Sequence, residues 1–184
     1  MPYFILGCVE PLPDERRGVV AAHAGGLDWL SGARFETPPP SPVRVTLDAE
    51  GVMLPMFQHP VPLFVDAMVS ALFECGADNL EVYDAALHDP ATGRDRTDYK
   101  AVNVIGAVRC ADLKRSRYTA YGAPVIDVDF DSLVIDEARA RGLKLFRLAE
   151  CVTGIVVDES VRRHRAAVPA LRGLDFIPPE AWIW

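Results

Sequence analysis

The sequence predicts an α+β fold with a mainly antiparallel sheet. Short runs with the two-residue periodicity of strands outnumber runs with helical periodicity, and the two kinds do not alternate regularly along the chain. In YKAVNVIG at residues 99–106, apolar side chains fall on both faces of a strand, which is typical of a strand in the middle of a sheet. Half of the 184 residues are hydrophobic, so we expect a single domain over residues 1–184 with one well-buried core.

The N-terminal part, residues 1–60, is expected to be loop-rich and the least typical of the fold. Residues 1–10 have no basic stretch before an apolar core, as a signal peptide would, and are predicted to form a short first strand. Residues 11–42 are rich in turn formers, including TPPPSP at 37–42. Residues 43–47 alternate as a strand does, and the DAEG turn at 48–51 predicts a small hairpin with residues 52–54.

Two principal helices are predicted, at about residues 62–75 and 158–170. The first has Pro62 in its first turn and Gly76 after its last residue, and its apolar side chains recur with helical spacing. The second has Asp158 and Glu159 at its N-terminus, where carboxylates cap a helix, and Gly173 as its stop. Core packing explains the apolar faces of the first helix better than a ligand-binding ridge.

Residues 80–87 and 99–110 are predicted to pair as a long hairpin, because the segment between them is polar and rich in turn residues. A short helical turn is expected at residues 112–117. Further strands are predicted at residues 125–131, 133–135, 143–148, 154–157 and 174–177.

Charge and cysteine usage limit the classes of partner. The 26 acidic and 19 basic side chains give a formal net charge of -7, which argues against nucleic-acid binding and favours a basic partner. The four cysteines show no metal-ligand spacing and lie in apolar surroundings, so we expect buried free thiols and a reducing, cytoplasmic location. No apolar run approaches the ~18 to 20 residues that cross a bilayer, so no membrane partner is expected.

Motifs of the common enzyme classes are missing from the sequence. It contains no GxSxG elbow, no GxxxxGK[ST] loop, no GxGxxG turn and no HExxH, and its four histidines are scattered. We therefore predict no catalytic residue, no cofactor and no metal site.

A row of carboxylates is the most distinctive polar feature. In IDVDFD at residues 126–131 the aspartates share one face of a strand and the apolar residues share the other. Such a row is stable at a solvated edge, where it also deters aggregation, or opposite a basic partner. With two carboxylates that follow, the candidate partner-binding residues are Asp127, Asp129, Asp131, Asp136 and Glu137.

Several short blocks in chain order resemble the eleventh immunity-protein family of bacterial polymorphic toxin systems. The blocks are NLEVY at 79–83, YKAVNVIG at 99–106, LFRLAE at 145–150, IVVDE at 155–159 and GLDFIP at 173–178. The resemblance spans residues 62–178 and leaves residues 11–54 without an assigned role. It implies a cytoplasmic protein, encoded beside a toxin, that binds the toxin and neutralises it without catalysis. Asn103 and Arg147, polar residues of these apolar blocks, are expected to be internally hydrogen-bonded or ion-paired.

The first functional hypothesis is therefore an immunity protein that binds a cognate toxin with a basic surface. Trp182 and Trp184 are either anchors for that partner or part of the protein's own core. One alternative is an enzyme acting on a small molecule, with a pocket near His88, Asp98 or Glu150. The other is a regulatory or scaffold module with a partner that is not a toxin.

Overall fold

Two large sheets, a two-stranded ribbon and three α-helices make up the described part of the chain, which confirms the predicted α+β class. The structure is a computed structural model that describes residues 2–9, 19–20, 26–49, 52–122, 128–165 and 168–184. The strands are β1 (Tyr3–Cys8), β2 (Val19–Val20), β3 (Val43–Ala49), β4 (Met56–Phe57), β5 (Leu63–Val65), β6 (Leu80–Asp89), β7 (Arg94–Arg96), β8 (Tyr99–Val104), β9 (Ala107–Val108), β10 (Arg117–Ala120), β11 (Val128–Ser132), β12 (Leu145–Leu148), β13 (Cys151–Asp158) and β14 (Leu174–Ile177). The α-helices are α1 (Asp66–Glu74), α2 (Glu137–Ala140) and α3 (Glu159–Arg165).

Most of the described strand pairs are antiparallel, as predicted. The five-stranded sheet has the order β14-β1-β13-β12-β9, and the seven-stranded sheet has the order β2-β3-β6-β8-β5-β4 with β7 paired to β6. The ribbon consists of β10 and β11. Among these pairs only β3 with β6 and β9 with β12 run parallel.

The five-stranded sheet is covered on both faces. Leu6 and Ile155 belong to a core cluster that also contains residues of α1 and α3. Their strand neighbours Ile5 and Val156 belong to a second cluster, formed with the ribbon, α2 and the C-terminal segment. Because successive side chains of a strand point to opposite faces, the helices cover one face and the ribbon covers the other.

The predicted long hairpin is confirmed, but its second strand is shorter than predicted. Antiparallel pairs run from Leu80 with Val104 to Asp84 with Lys100, and β8 is buried on both faces. The predicted strand 99–110 ends at Val104, because Gly106 adopts a positive φ of 101° that turns the chain out of the sheet. The chain then enters the five-stranded sheet as β9.

Both predicted helices are shorter than expected. Residues 63–65 form β5, because the Pro62 carbonyl accepts the Val102 N–H at 2.8 Å and Leu63 pairs with Ala101, so α1 begins only at Asp66. The predicted stop is correct, since Gly76 has φ 84° and its N–H donates to the Phe73 carbonyl at 2.9 Å.

The second predicted helix corresponds to α3, and Asp158 caps its N-terminus as predicted. Asp158 accepts the Ser160 N–H at 2.8 Å. The helix ends early, because Pro169 begins a separate 3-10 turn and a residue before proline avoids the helical conformation.

The predicted hairpin of residues 43–54 is not found among the described strand pairs, and residues 50–51 of its turn lie outside the described residues. The structure pairs β3 with β2 and with β6, and residues 52–54 form no strand of their own. Residues 133–135, predicted as a strand, contribute a single bridge between Ile135 and Ala111. The one-turn helix α2 was not predicted.

Two predictions about buried polar groups are confirmed. The Asn103 amide donates to the Ala33 carbonyl at 2.8 Å and to Glu81 at 3.1 Å. The Arg147 guanidinium donates to the carbonyls of Val152 at 2.7 Å and Trp29 at 3.0 Å. All four cysteines are free thiols, with Cys110 and Cys151 buried and the other two half-buried.

Candidate functional site

The ribbon of β10 and β11 carries the row of aspartates that the sequence singles out. Val128 and Phe130 point inward and are fully buried, while Asp129 is half-buried and Asp131 is exposed. The predicted alternation is therefore confirmed for Asp129 and Asp131. Asp127 lies outside the residues that the structure describes.

Aromatic packing determines which face of β11 meets the core. The Phe130 ring lies 6.2 Å from that of Tyr118 and 5.9 Å from that of Trp182, centroid to centroid. A slip of one residue would expose Phe130 and bury the two aspartates, which is strongly unfavourable. The core thus fixes both carboxylates on the outer face.

Asp129 is oriented by a neighbouring side chain. The Tyr121 hydroxyl donates to Oδ2 of Asp129 at 2.7 Å. Thr119 lies directly opposite Asp129 on β10. The carboxylate is therefore held in place on the ribbon by a residue that follows the neighbouring strand.

Asp136 and Glu137 lie in a separate element, at the start of α2. Asp136 is the N-cap of this helix: it accepts the Ala138 N–H at 3.1 Å and contacts the Arg139 guanidinium at 3.1 Å. Glu137 is exposed and lines a cleft of about 350 Å³ with Leu133, the residue that follows β11, and Arg115. The cleft therefore connects the end of β11 with the start of α2.

Basic residues adjoin the acidic strand on one side. Arg117 on β10 lies opposite Ser132 and is exposed, and Arg115 lines the cleft beside Glu137. The basic segment 114–118 is mostly solvated. Carboxylates thus lie on β11 and at the N-terminal end of α2, whereas Arg139 and Arg141 lie at the C-terminal end of α2 and further basic side chains lie at the start of β10.

The C-terminal segment, residues 182–184, runs alongside β11 on the protein surface. Trp182 is 5% exposed and packs into the protein's own core, whereas Trp184 is 48% exposed and Ile183 is 75% exposed. The Trp184 N–H donates to the Phe130 carbonyl at 3.0 Å. The sequence indicated the two tryptophans but not Ile183, whose exposure no periodic pattern signalled.

The three residues suggested as alternative positions for an enzyme pocket have different surroundings. His88 contacts Asp95 at 2.7 Å at the exposed tip of the β6–β7 hairpin, and Asp98 pairs with Arg96 at 2.7 Å just before β8. Glu150 lies at the turn between β12 and β13, and burial raises the pKa of its carboxyl group. None of the three lines the cleft beside Glu137 or a second cleft beside Cys75.

The larger cleft, of about 590 Å³, lies between the end of α1 and α3. Its lining includes Cys75 and the pair His164 and Glu74, whose Nε2 and Oε2 atoms are 2.8 Å apart. Burial raises the pKa of the Cys75 thiol, which disfavours the nucleophilic thiolate.

The described residues form no metal cluster and no membrane-spanning helix. Over the described ranges, no three His, Cys, Asp or Glu side chains are grouped as metal ligands. No helix of the described residues is long and apolar enough to cross a membrane. The sequence matches no protein-family model and no curated protein. The resemblance to the immunity-protein family therefore stays a prediction.

Proposed function

We propose that this chain is a cytoplasmic immunity protein that binds a cognate bacterial toxin and neutralises it by protein-protein association, without catalysis. The observation that carries the proposal is the outer face of β11. There Asp129 and Asp131 face away from a core-packed strand, on a chain with a formal net charge of -7. That the partner is a toxin is inferred from the resemblance of residues 62–178 to the immunity-protein family.

A rigid strand is a favourable support for charges that recognise a partner. The side chains of Val128 and Phe130 hold β11 on the core, so Asp129 and Asp131 need little ordering when a partner binds. Complementary charge raises the association rate above that of a neutral pair and excludes partners with like charge. The partner surface is accordingly rich in lysine or arginine.

The five carboxylates contribute in two ways. Asp131 and Glu137 are exposed, and Asp131 lies where a direct ion pair with the toxin can form. Asp136 already caps α2 and contacts Arg139, so it contributes mainly to the long-range field. Asp127 precedes β11 in the sequence and lies outside the residues that the structure describes.

Co-expression with the protein encoded by the neighbouring gene tests the proposal. The wild-type chain should restore growth to cells that produce the neighbouring protein, and the two proteins should purify as a complex. A complex without restored growth would favour the scaffold alternative. If the chain neither restores growth nor forms a complex, the immunity function is rejected.

A further inference from the structure

Three large exposed side chains lie beside the acidic strand. Tyr121 is 60% exposed and bonds to Asp129, and Ile183 and Trp184 belong to the segment that follows β11. The other large apolar side chains with similar exposure in the described residues are Val9, Val52 and Phe73, which belong to other elements. Exposed apolar area is thus concentrated where the carboxylates are.

The C-terminal segment is held in a defined position against β11. Besides the main-chain hydrogen bond from Trp184 to Phe130, the rings of Trp182 and Trp184 lie 6.0 Å apart. Trp182 has extended backbone angles, φ -79° and ψ 124°, and its ring packs against Phe130. Ile183 therefore points away from the core, towards the outer side of the ribbon where Asp129 and Asp131 lie.

We infer that Ile183 and Trp184 are the apolar anchor by which this acidic surface retains a basic partner protein. The inference rests on the proposed function and specifies the partner further. Its binding surface combines lysine or arginine side chains, which meet Asp129 and Asp131, with an apolar pocket that receives Ile183.

Charge and apolar contact act on different steps of binding. Exposed carboxylates steer the approach and therefore control the association rate. Apolar side chains that become desolvated in a pocket dominate binding energy and control the dissociation rate. The half-exposed Trp184 ring adds a face on which an arginine or lysine of the partner can stack.

Binding kinetics with the purified neighbouring-gene product test the anchor. Ile183→Ala and Trp184→Ala should each accelerate dissociation about tenfold or more and leave the association rate within about twofold. Phe73→Ala is the matched control, because Phe73 is 49% exposed but lies on α1. Thermal unfolding of each variant verifies that the fold is retained, and Ile183→Ala is the variant least able to disturb it.

Each outcome has a distinct meaning. Wild-type binding with unchanged dissociation in both anchor variants would overturn the anchor and leave the immunity function standing. An equally large acceleration of dissociation in Phe73→Ala would overturn the anchor as well, since the effect would not be local. A wild-type homodimer that Ile183→Asp dissociates would assign the surface to a second copy and overturn the inference. Absence of wild-type binding would reject the proposed function and the anchor together.

Discussion

The Tyr121 hydroxyl and the Asp129 carboxylate form a 2.7 Å hydrogen bond that links the end of β10 to the acidic face of β11. Tyr121 is 60% exposed, so this bond adds little to folding. Its consequence is that Asp129, one of the carboxylates proposed to bind the partner, is already oriented in the free protein.

Replacing Tyr121 with phenylalanine removes that hydrogen bond and keeps the ring. We expect the affinity for the toxin to fall about threefold, because the carboxylate loses its orientation, while the melting temperature stays unchanged. Titration calorimetry measures the affinity. Tyr118→Phe is the control, since it leaves the bond to Asp129 intact. An unchanged affinity for Tyr121→Phe would show that Asp129 does not contact the partner.

Arg147 is expected to stabilise the fold through its two hydrogen bonds to main-chain carbonyls. Burial lowers the pKa of its guanidinium to about 10, and the charge of Asp28 opposes this effect only in part. Arg147→Met leaves the Trp29 and Val152 carbonyls without these donors, so the free energy of unfolding should fall by about 2 kcal/mol in urea titrations. The exposed Arg139→Met should change it by less than about 0.5 kcal/mol. Equal stability of Arg147→Met and wild type would contradict the expectation.

The stability of the protein should decrease in alkaline solution. Burial, together with the charges of Glu150 and Asp136, raises the pKa of the Cys110 thiol from 9.0 to about 12. Below pH 9 the thiol is protonated in both states, but above it only the unfolded chain loses the proton. The stabilisation is therefore progressively lost between pH 9 and about 12.

Cys110→Ala isolates this contribution. Near pH 10 the free energy of unfolding declines with pH in the wild type. In Cys110→Ala this decline should be smaller by up to about 1.4 kcal/mol per pH unit. Urea titrations across that range measure the slope. The same slope in both proteins would mean that the folded thiol ionises as freely as the unfolded one.

Gly32 should be intolerant of a side chain. It has φ 71°, and a Cβ atom there would lie 2.9 Å from the main-chain nitrogen of Ala107. Gly93 has a similar φ of 66°, but a Cβ atom there would meet nothing within 4 Å. Gly32→Ala should therefore cost about 1 kcal/mol or more beyond Gly93→Ala in the free energy of unfolding. Equal losses of unfolding free energy in the two variants would show that the chain around Gly32 can move away from Ala107 without cost.

The parts of the fold that follow from local periodicity were predictable. The hairpin of β6 and β8, the alternation of Asp129 and Asp131 with buried neighbours, and the stop at Gly76 all rest on patterns of a few residues. Long-range pairing was not accessible in the same way. Residues 63–65 have an apolar pattern that suits a helix, and only their hydrogen bonds to β8 make them a strand.

Two features of the candidate site lay beyond sequence reasoning for physical reasons. Asp136 is an N-cap only because the chain folds into the one-turn helix α2, which is too short to give a helical period. Ile183 is exposed because the Trp182 ring packs against Phe130 and the Trp184 N–H bonds to the Phe130 carbonyl, contacts between segments about fifty residues apart. Patterns within a single segment do not report such contacts.

The salt dependence of toxin association tests the acidic surface most directly. The comparison uses wild type and a variant with Asp127, Asp129, Asp131 and Asp136 changed to Asn and Glu137 changed to Gln. Asparagine caps helices as well as aspartate, so α2 should persist in the variant. A control with Asp78→Asn and Glu36→Gln, two exposed carboxylates in loops away from β11 in the sequence, reports the effect of charge lost elsewhere.

Stopped-flow association with the neighbouring-gene product at low and high ionic strength gives the decisive numbers. We expect the five-residue variant to associate at least about tenfold more slowly at low salt and to lose most of its salt dependence, while the control changes little. Association that is equally fast and equally salt-dependent in the variant and the wild type would contradict the acidic docking surface.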